Sequence, residues 1–230
     1  HALLIYALFG LLSALLLWKM PNTKLPLPVR VKKNQQLSKH DRRPALLYAS
    51  LIALVTFVSN GTSTHLPEFI ASVGLPVAVG MLWGIGQTGA RFLEVVSGSA
   101  LTPLRLTILT TSLMPLCFAL GLSGAFLSWA AGGFVLGYGA INGLTTVFKA
   151  TLPLQLFAAE DYARLTGILL IPAQLLAAIS PFAYAWLNHH FGLRGSLAVS
   201  AVLAVMVAAL AMAIAWCQQE NTPAAIEERG

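Results

Sequence analysis

Charge is what this chain lacks. Of its 230 residues, 10% are Asp, Glu, Lys or Arg, and only 8 are acidic. Soluble domains carry about 25% charged residues. With 57% of residues hydrophobic, a chain of this size has too little polar surface to stay dispersed in water. A soluble domain is excluded, and lipid is the expected partner. Cysteine is scarce as well. The two that occur, Cys117 and Cys217, lie in or at the end of apolar runs, so no disulfide framework is expected. The first apolar run is not expected to be a signal peptide. Residue 1 is His, no basic leader precedes the first apolar run, and the chain reads as truncated at its start.

Long apolar runs are plentiful. A helix needs about 20 mostly apolar residues to cross a bilayer. Seven candidates follow: Ala2–Leu17, Pro44–Ile70, Leu75–Val95, Arg105–Leu122, Gly124–Phe148, Leu165–Leu187 and Ser196–Trp216. The expectation is all-α, a polytopic transmembrane helix bundle of seven spans.

The one long polar stretch is Trp18–Arg43. It holds Lys19, Lys24, Arg30, Lys32, Lys33, Lys39, Arg42 and Arg43, eight of the chain's 14 basic residues. Pro21, Pro26 and Pro28 favour extended backbone, so it reads as a linker. A basic run can bind nucleic acid or anionic lipid. Between two spans a cytoplasmic loop is the simpler reading, and no nucleic-acid partner is expected. With this loop inside, Arg91, Arg105, Lys149, Arg164 and Arg229 also fall inside, and only Arg194 falls outside. That asymmetry satisfies the positive-inside rule. The expected organisation is a last span of a truncated N-terminal half over 1–17, a basic cytoplasmic linker over 18–43, a six-span half over 44–217 and a cytoplasmic tail over 218–230. Six spans behind a basic loop suit a bundle that pivots against another six. No strong internal repeat marks a three-plus-three division.

Four stretches carry a family resemblance: Gly86–Glu94 (GQTGARFLE), Asn60–Gly74 (NGTSTHLPEFIASVG), Gly133–Phe157 (GFVLGYGAINGLTTVFKATLPLQLF) and Gly167–Pro181 (GILLIPAQLLAAISP). Together with the span pattern, they make the chain resemble the major facilitator superfamily over nearly its whole length. The first stretch is similar to the family's GxxxDRxGRR loop signature, without its aspartate and paired basic residues. The others look like the seventh, tenth and eleventh spans. The eleventh-like span lacks the full Gly-Pro-Gly-Gly pattern associated with antiporters, which leaves the direction of coupling open. The resemblance implies a secondary active transporter of a small molecule in a bacterial inner membrane, working by alternating access with a missing N-terminal six-span half.

Polar side chains inside spans are costly and therefore candidates for function. His65 and Glu68 lie three apart and share a helix face, a pair able to pass a proton. Against this, Pro67 can start an outer loop that leaves both in water. Asn60 is near mid-span beside Gly61, a place to line a substrate path. Gln87, Arg91 and Glu94 share one face of their helix; Arg91 and Glu94 can pair with each other or with another helix at a cytoplasmic gate. Gly80, Gly84, Gly86 and Gly89 thin that helix for close packing. Tyr138 and Asn142 are four apart among Gly133, Gly137, Gly139 and Gly143, and can line the path. Lys149 lies inside the bundle if its helix continues and snorkels to headgroups if it ends, the reading favoured here. Gln174 follows Pro172, a bending point with Pro181.

No catalysis, cofactor or metal is expected. HExxH is absent, and Gly98-Ser99 has no partner histidine. The competing reading is a seven-span ligand receptor or another non-transport membrane protein. A retinal protein is excluded by the lack of a lysine in Ser196–Trp216.

Overall fold

The computed structural model describes residues 39–97, 101–124, 128–157 and 162–227, together with Leu11. The chain divides into two compact units, His1–Gln36 and Leu37–Gly230, and all described residues but Leu11 lie in the second. The first expected span, most of the basic linker and Gly98-Ser99 lie outside the described residues. Among the described residues the chain is 94% helical, without a strand. The helices are α1 (Lys39–Ser72), α2 (Met81–Val96), α3 (Pro103–Ser123), α4 (Ser128–Leu156), α5 (Tyr162–Leu169) and α6 (Ile171–Glu227), with a short 3₁₀ turn at Val77–Gly80 before α2.

Three segments are long and apolar enough to cross a membrane: Arg42–Ser72, Pro103–Ser123 and Arg164–Gln219. The third covers α5 and most of α6, and it is not one straight rod. Gly192 has φ 68°, a left-handed conformation that glycine adopts without strain. The Tyr184 hydroxyl and Ser200 Oγ, eight residues to either side, lie 2.7 Å apart. In a straight helix sixteen residues span about 24 Å. The contact therefore requires α6 to double back at Gly192 into two arms.

Local chemistry sets the other boundaries. α1 ends where Gly74 turns left-handed (φ 71°). Leu75 N–H then donates to Ile70 O (3.2 Å) and Gly74 N–H to Ala71 O (3.0 Å), the paired bonds that satisfy a helix C-terminus. Thr102 caps α3 by accepting from Arg105 N–H, with Pro103 at the first helical position. Gln155 of α4 accepts a further α3 N–H, from Leu104, at 3.0 Å. The α5–α6 break falls at Leu170, two residues before Pro172. Pro172 has no N–H to donate to Ile168 O, so the helical ladder is interrupted at this turn.

α1 packs on α6, α2 on α4, and α3 on both α4 and α6. α1 is the most enclosed of the membrane-length segments, with Tyr48, Leu51, Ile52 and Val58 fully buried. An aromatic cluster joins three helices: Phe134 and Tyr138 of α4 stack at 5.6 Å, Phe118 of α3 lies 5.8 and 5.9 Å from them, and Phe69 of α1 lies 5.1 Å from Phe134. Thr107, Thr110 and Thr111 are buried in α3. Each hydroxyl donates one turn back, to Pro103, Leu106 and Thr107 carbonyls at 2.7–2.8 Å, which removes the cost of burying them. Large side chains such as Phe182, Leu116, Trp129 and Val77 point outward, as lipid contact permits and water does not.

Several expectations change. The span drawn from Leu75 begins as a turn, and its helix starts only at Met81. α4 does not stop at Phe148 but runs to Leu156, and the last arm of α6 continues past Trp216 to Glu227. The glycines of α2 are not equivalent. Only Gly86 is pressed against a neighbour, the Leu136 backbone of α4; Gly84 and Gly89 face open space. On α4, Gly139 and Gly143 meet the α2 backbone at Trp83 and Gln87, whereas Gly133 and Gly137 meet Leu120 and Cys117 of α3. The small residues thus serve two neighbours from two faces of one helix.

Candidate functional site

Hydroxyls and one ammonium line the contact between α1 and α4. Tyr138 is 1% exposed, and its hydroxyl donates to Ser59 O at 2.7 Å. Ser63 Oγ lies 3.1 Å from the same hydroxyl, and Asn142 Nδ2 donates to Ser63 Oγ at 3.5 Å. Further along the seam, Lys149 Nζ donates to Thr56 Oγ1 at 2.7 Å. Tyr48 donates to the Lys149 carbonyl at 3.0 Å. The α1 members Thr56, Ser59 and Ser63 stand at i, i+3 and i+7, one stripe of the helix. An apolar bundle that keeps such a ladder has spent packing area on polar contact. Interhelical bonds of this kind are worth about 0.6 kcal/mol on average in membranes.

Lys149 is half-buried within the seam because α4 continues past it, which departs from the headgroup position favoured from sequence. Tyr138 is an anchor between helices, while Asn142 beside it stays half-exposed.

A second seam joins α1 to the first arm of α6. Ser180 Oγ donates to Phe57 O at 2.8 Å. Gly61 lies against the ring of Tyr184, with no room for a Cβ. Its role is therefore close approach, and α1 runs through it unbroken. His65 lies one turn further on. Its Nδ1 is 3.0 Å from Glu68 Oε2, and its Nε2 is 3.3 Å from Pro181 O. α1 passes through Pro67, so the pair is held on a helix and not in a loop. The His65 side chain is 14% exposed and that of Glu68 61%.

The remaining candidates are dispersed. Asn60 is exposed on α1, and its carbonyl accepts from Thr64 Oγ1 at 2.8 Å. Gln174 is exposed near the start of α6. Gln87 is half-buried against α4, its carbonyl facing Gly143. Arg91 and Glu94 form no ion pair with each other; Arg91 Nε donates to Gly143 O at 3.4 Å. Glu94 lines a cavity of about 320 Å³ with Leu93, Ser97, Leu106 and Leu144, between α2, α3 and α4. Among the described residues no three His, Cys, Asp or Glu side chains converge on a metal position. Cys117 and Cys217 are free thiols.

Sequence reasoning missed Tyr48, Thr56, Ser59, Ser63, Ser180 and Ser200. Single hydroxyls do not stand out in apolar runs. The 56, 59, 63 spacing was the available signal.

The fold and its seams define a class: an all-helical protein with helices long and apolar enough to cross a membrane. Set against protein-family models, curated proteins and solved structures, the chain matches none.

Proposed function

We propose that the chain is part of a secondary active transporter of the major facilitator type, moving a small molecule by alternating access with proton coupling. The observation that carries this reading is the α1–α4 seam, where Tyr138, Asn142, Ser63, Thr56 and Lys149 collect polar groups inside an otherwise apolar bundle. In lipid such groups are kept where they bind a solute, an ion or a neighbouring helix. The reading assigns α1, α2, α3 and α4 to spans seven to ten, and α5 with the first arm of α6 to span eleven. The second arm is span twelve. Six further spans complete the transporter, the basic linker joins the halves on the cytoplasmic side, and the membrane is a bacterial inner membrane. Asn60, Gln87, Asn142 and Gln174 line the solute path, and Tyr138 stands behind Asn142 as an anchor between helices. Arg91, Glu94 and Lys149 stand at the cytoplasmic gate, and His65 with Glu68 carries the proton.

The test is uptake by cells expressing the full-length protein from a mixture of labelled solutes. At least one solute should enter in a protein-dependent and pH-dependent manner, and Glu68→Gln should flatten that pH dependence. Uptake indifferent to pH in the unsubstituted protein removes the proton. A mixture from which nothing enters protein-dependently, while the protein binds a soluble ligand and changes shape, favours the receptor reading.

A further inference from the structure

We infer that the cavity between the second half of α1 and the start of α2 binds an uncharged small molecule of mostly apolar body, held through one hydrogen-bond acceptor by the Trp83 indole. The inference deepens the transport reading above by naming a class of solute, and it rests on that reading only for its consequence in uptake.

The cavity measures about 240 Å³. Ligand pockets run from roughly 300 to 1,000 Å³, so this one suits a small solute. Leu66, Pro67 and Ile70 of α1 and Val77 of the 3₁₀ turn supply its apolar walls. Its polar side chains are Ser63 of α1 and Trp83 of α2.

These two differ in what they can still bond. Tyr138 gives its hydroxyl hydrogen to Ser59 O at 2.7 Å, so in the 3.1 Å contact between Ser63 and Tyr138 it is Ser63 that donates. Ser63 Oγ also accepts from Asn142 at 3.5 Å. Ser63 thus has no hydrogen left for a ligand and offers at most a lone pair. The Trp83 indole is the reverse. Its Nε1 only donates. It is buried, and among the described residues nothing accepts from it. Buried indole N–H groups usually have an acceptor, and leaving one without is costly. A ligand acceptor at Nε1 therefore gains a hydrogen bond without breaking another. Nε1 is covered in the geometry seen, so the indole turns toward the cavity it lines when ligand enters, and the new bond drives that turn.

The walls exclude charge. Among the described residues no Asp, Glu, Lys, Arg or His side chain lines the cavity, and His65 and Glu68, further along α1, bond each other instead. An ammonium or carboxylate entering here would leave water with no opposite charge to meet it. A pure hydrocarbon suits the walls but leaves Nε1 unsatisfied. A neutral compound with a carbonyl or ether oxygen satisfies both. Asn142, assigned to the solute path above, reaches the cavity through Ser63, so cavity and path adjoin.

The test uses cyclohexanone as the probe and the intact protein in detergent micelles with isotope-labelled tryptophan. Trp83→Phe identifies the Trp83 indole N–H resonance by its loss. Cyclohexanone should move that resonance downfield and saturably, as a new acceptor does. Methylcyclohexane, cyclohexylammonium and cyclohexanecarboxylate at the same concentration should not. Equilibrium dialysis of labelled cyclohexanone against protein-free micelles gives the affinity. Trp83→Phe should weaken it about tenfold, the upper value for a neutral hydrogen bond. Gly80 has helical backbone (φ −58°, ψ −23°), and a Cβ there would stand in ordinary contact with Ile70 at 3.6 Å. Gly80→Leu therefore extends a side chain along the cavity wall without straining the turn, and it should abolish saturable binding. A resonance that ignores the ketone, an affinity unchanged by Trp83→Phe, or a hydrocarbon or charged analogue that binds as tightly overturns the inference. The readout needs no transport. Ketone binding at Trp83 without protein-dependent uptake of any solute faults the transport reading alone, and protein-dependent uptake without a ketone effect at Trp83 faults this inference alone.

Discussion

Gly139→Ala should destabilise the bundle, and Gly84→Ala should not, although both glycines sit in similar apolar sequence. A Cβ at Gly139 would collide with the Trp83 carbonyl oxygen and lie 2.8 and 2.9 Å from the Trp83 carbonyl carbon and Cα. Ordinary contact begins at 3.4 Å. The obstacle is backbone, so no rotamer change relieves it, and α2 must move away from α4 by roughly 0.5–1 Å. A gap of that size forfeits about a quarter to a half of each contact's attraction. On the order of 30 heavy-atom contacts along the seam, at about 0.1–0.2 kcal/mol each, then lose about 1–3 kcal/mol. This agrees with the roughly 1–3 kcal/mol cost of overpacking a tight interior. A Cβ at Gly84 meets nothing within 4 Å. There alanine brings only its helix propensity, a gain of up to about 1 kcal/mol. That gain is common to both helical positions, so the two variants should differ by the packing loss alone, about 1–3 kcal/mol, in detergent-micelle unfolding followed by circular dichroism. Equal stability of the two, or a Gly84→Ala variant as damaged as Gly139→Ala, would refute the α2–α4 contact described here.

Gly61→Ala drives a methyl group into the Tyr184 ring and strains its bond to Ser200; a loss of about 1–3 kcal/mol is expected in the same unfolding assay. Thr56→Val takes the hydroxyl acceptor from the Lys149 ammonium and should cost about 1.5–3 kcal/mol. Adding Lys149→Met should recover most of that loss, since an apolar side chain replaces the stranded charge; a double variant no better than Thr56→Val would show that the ammonium has other acceptors. Tyr138→Phe should cost about 0.6 kcal/mol, at most about 1.7, the range for single hydrogen bonds between membrane helices.

Helix class and rough positions were legible in the sequence because lipid solvation leaves long apolar runs little choice but helix. Ends were less legible. Apolarity continues through Leu75–Gly80, and only the Gly74 turn and the 3₁₀ segment show that α2 starts late. At Gly192 a single left-handed residue reverses a helix whose flanks, including His189 and His190, remain helical. The site was half legible. Tyr138, Asn142, Lys149, His65 and Glu68 were visible as costly residues in apolar surroundings. Their partners were not, because Thr56, Ser59 and Ser63 are small and Pro181 and Ser59 act through backbone carbonyls, which carry no sequence signature. The glycines show the same limit. Spacing reveals that a helix has a thin face, but only the neighbour's position tells Gly86 from Gly84 and Gly89.

Access to Asn142 from the two sides of the membrane tests the proposed transport most directly. Asn142→Cys, with Cys117 and Cys217 replaced by alanine in the full-length protein, would be treated with a charged, membrane-impermeant thiol reagent in right-side-out and in inverted vesicles. Alternating access predicts labelling from both sides, each blocked when the protein is trapped in the opposite state. Labelling from one side alone, or protection from both, would contradict it and leave Asn142 as a helix contact in a protein that does not transport.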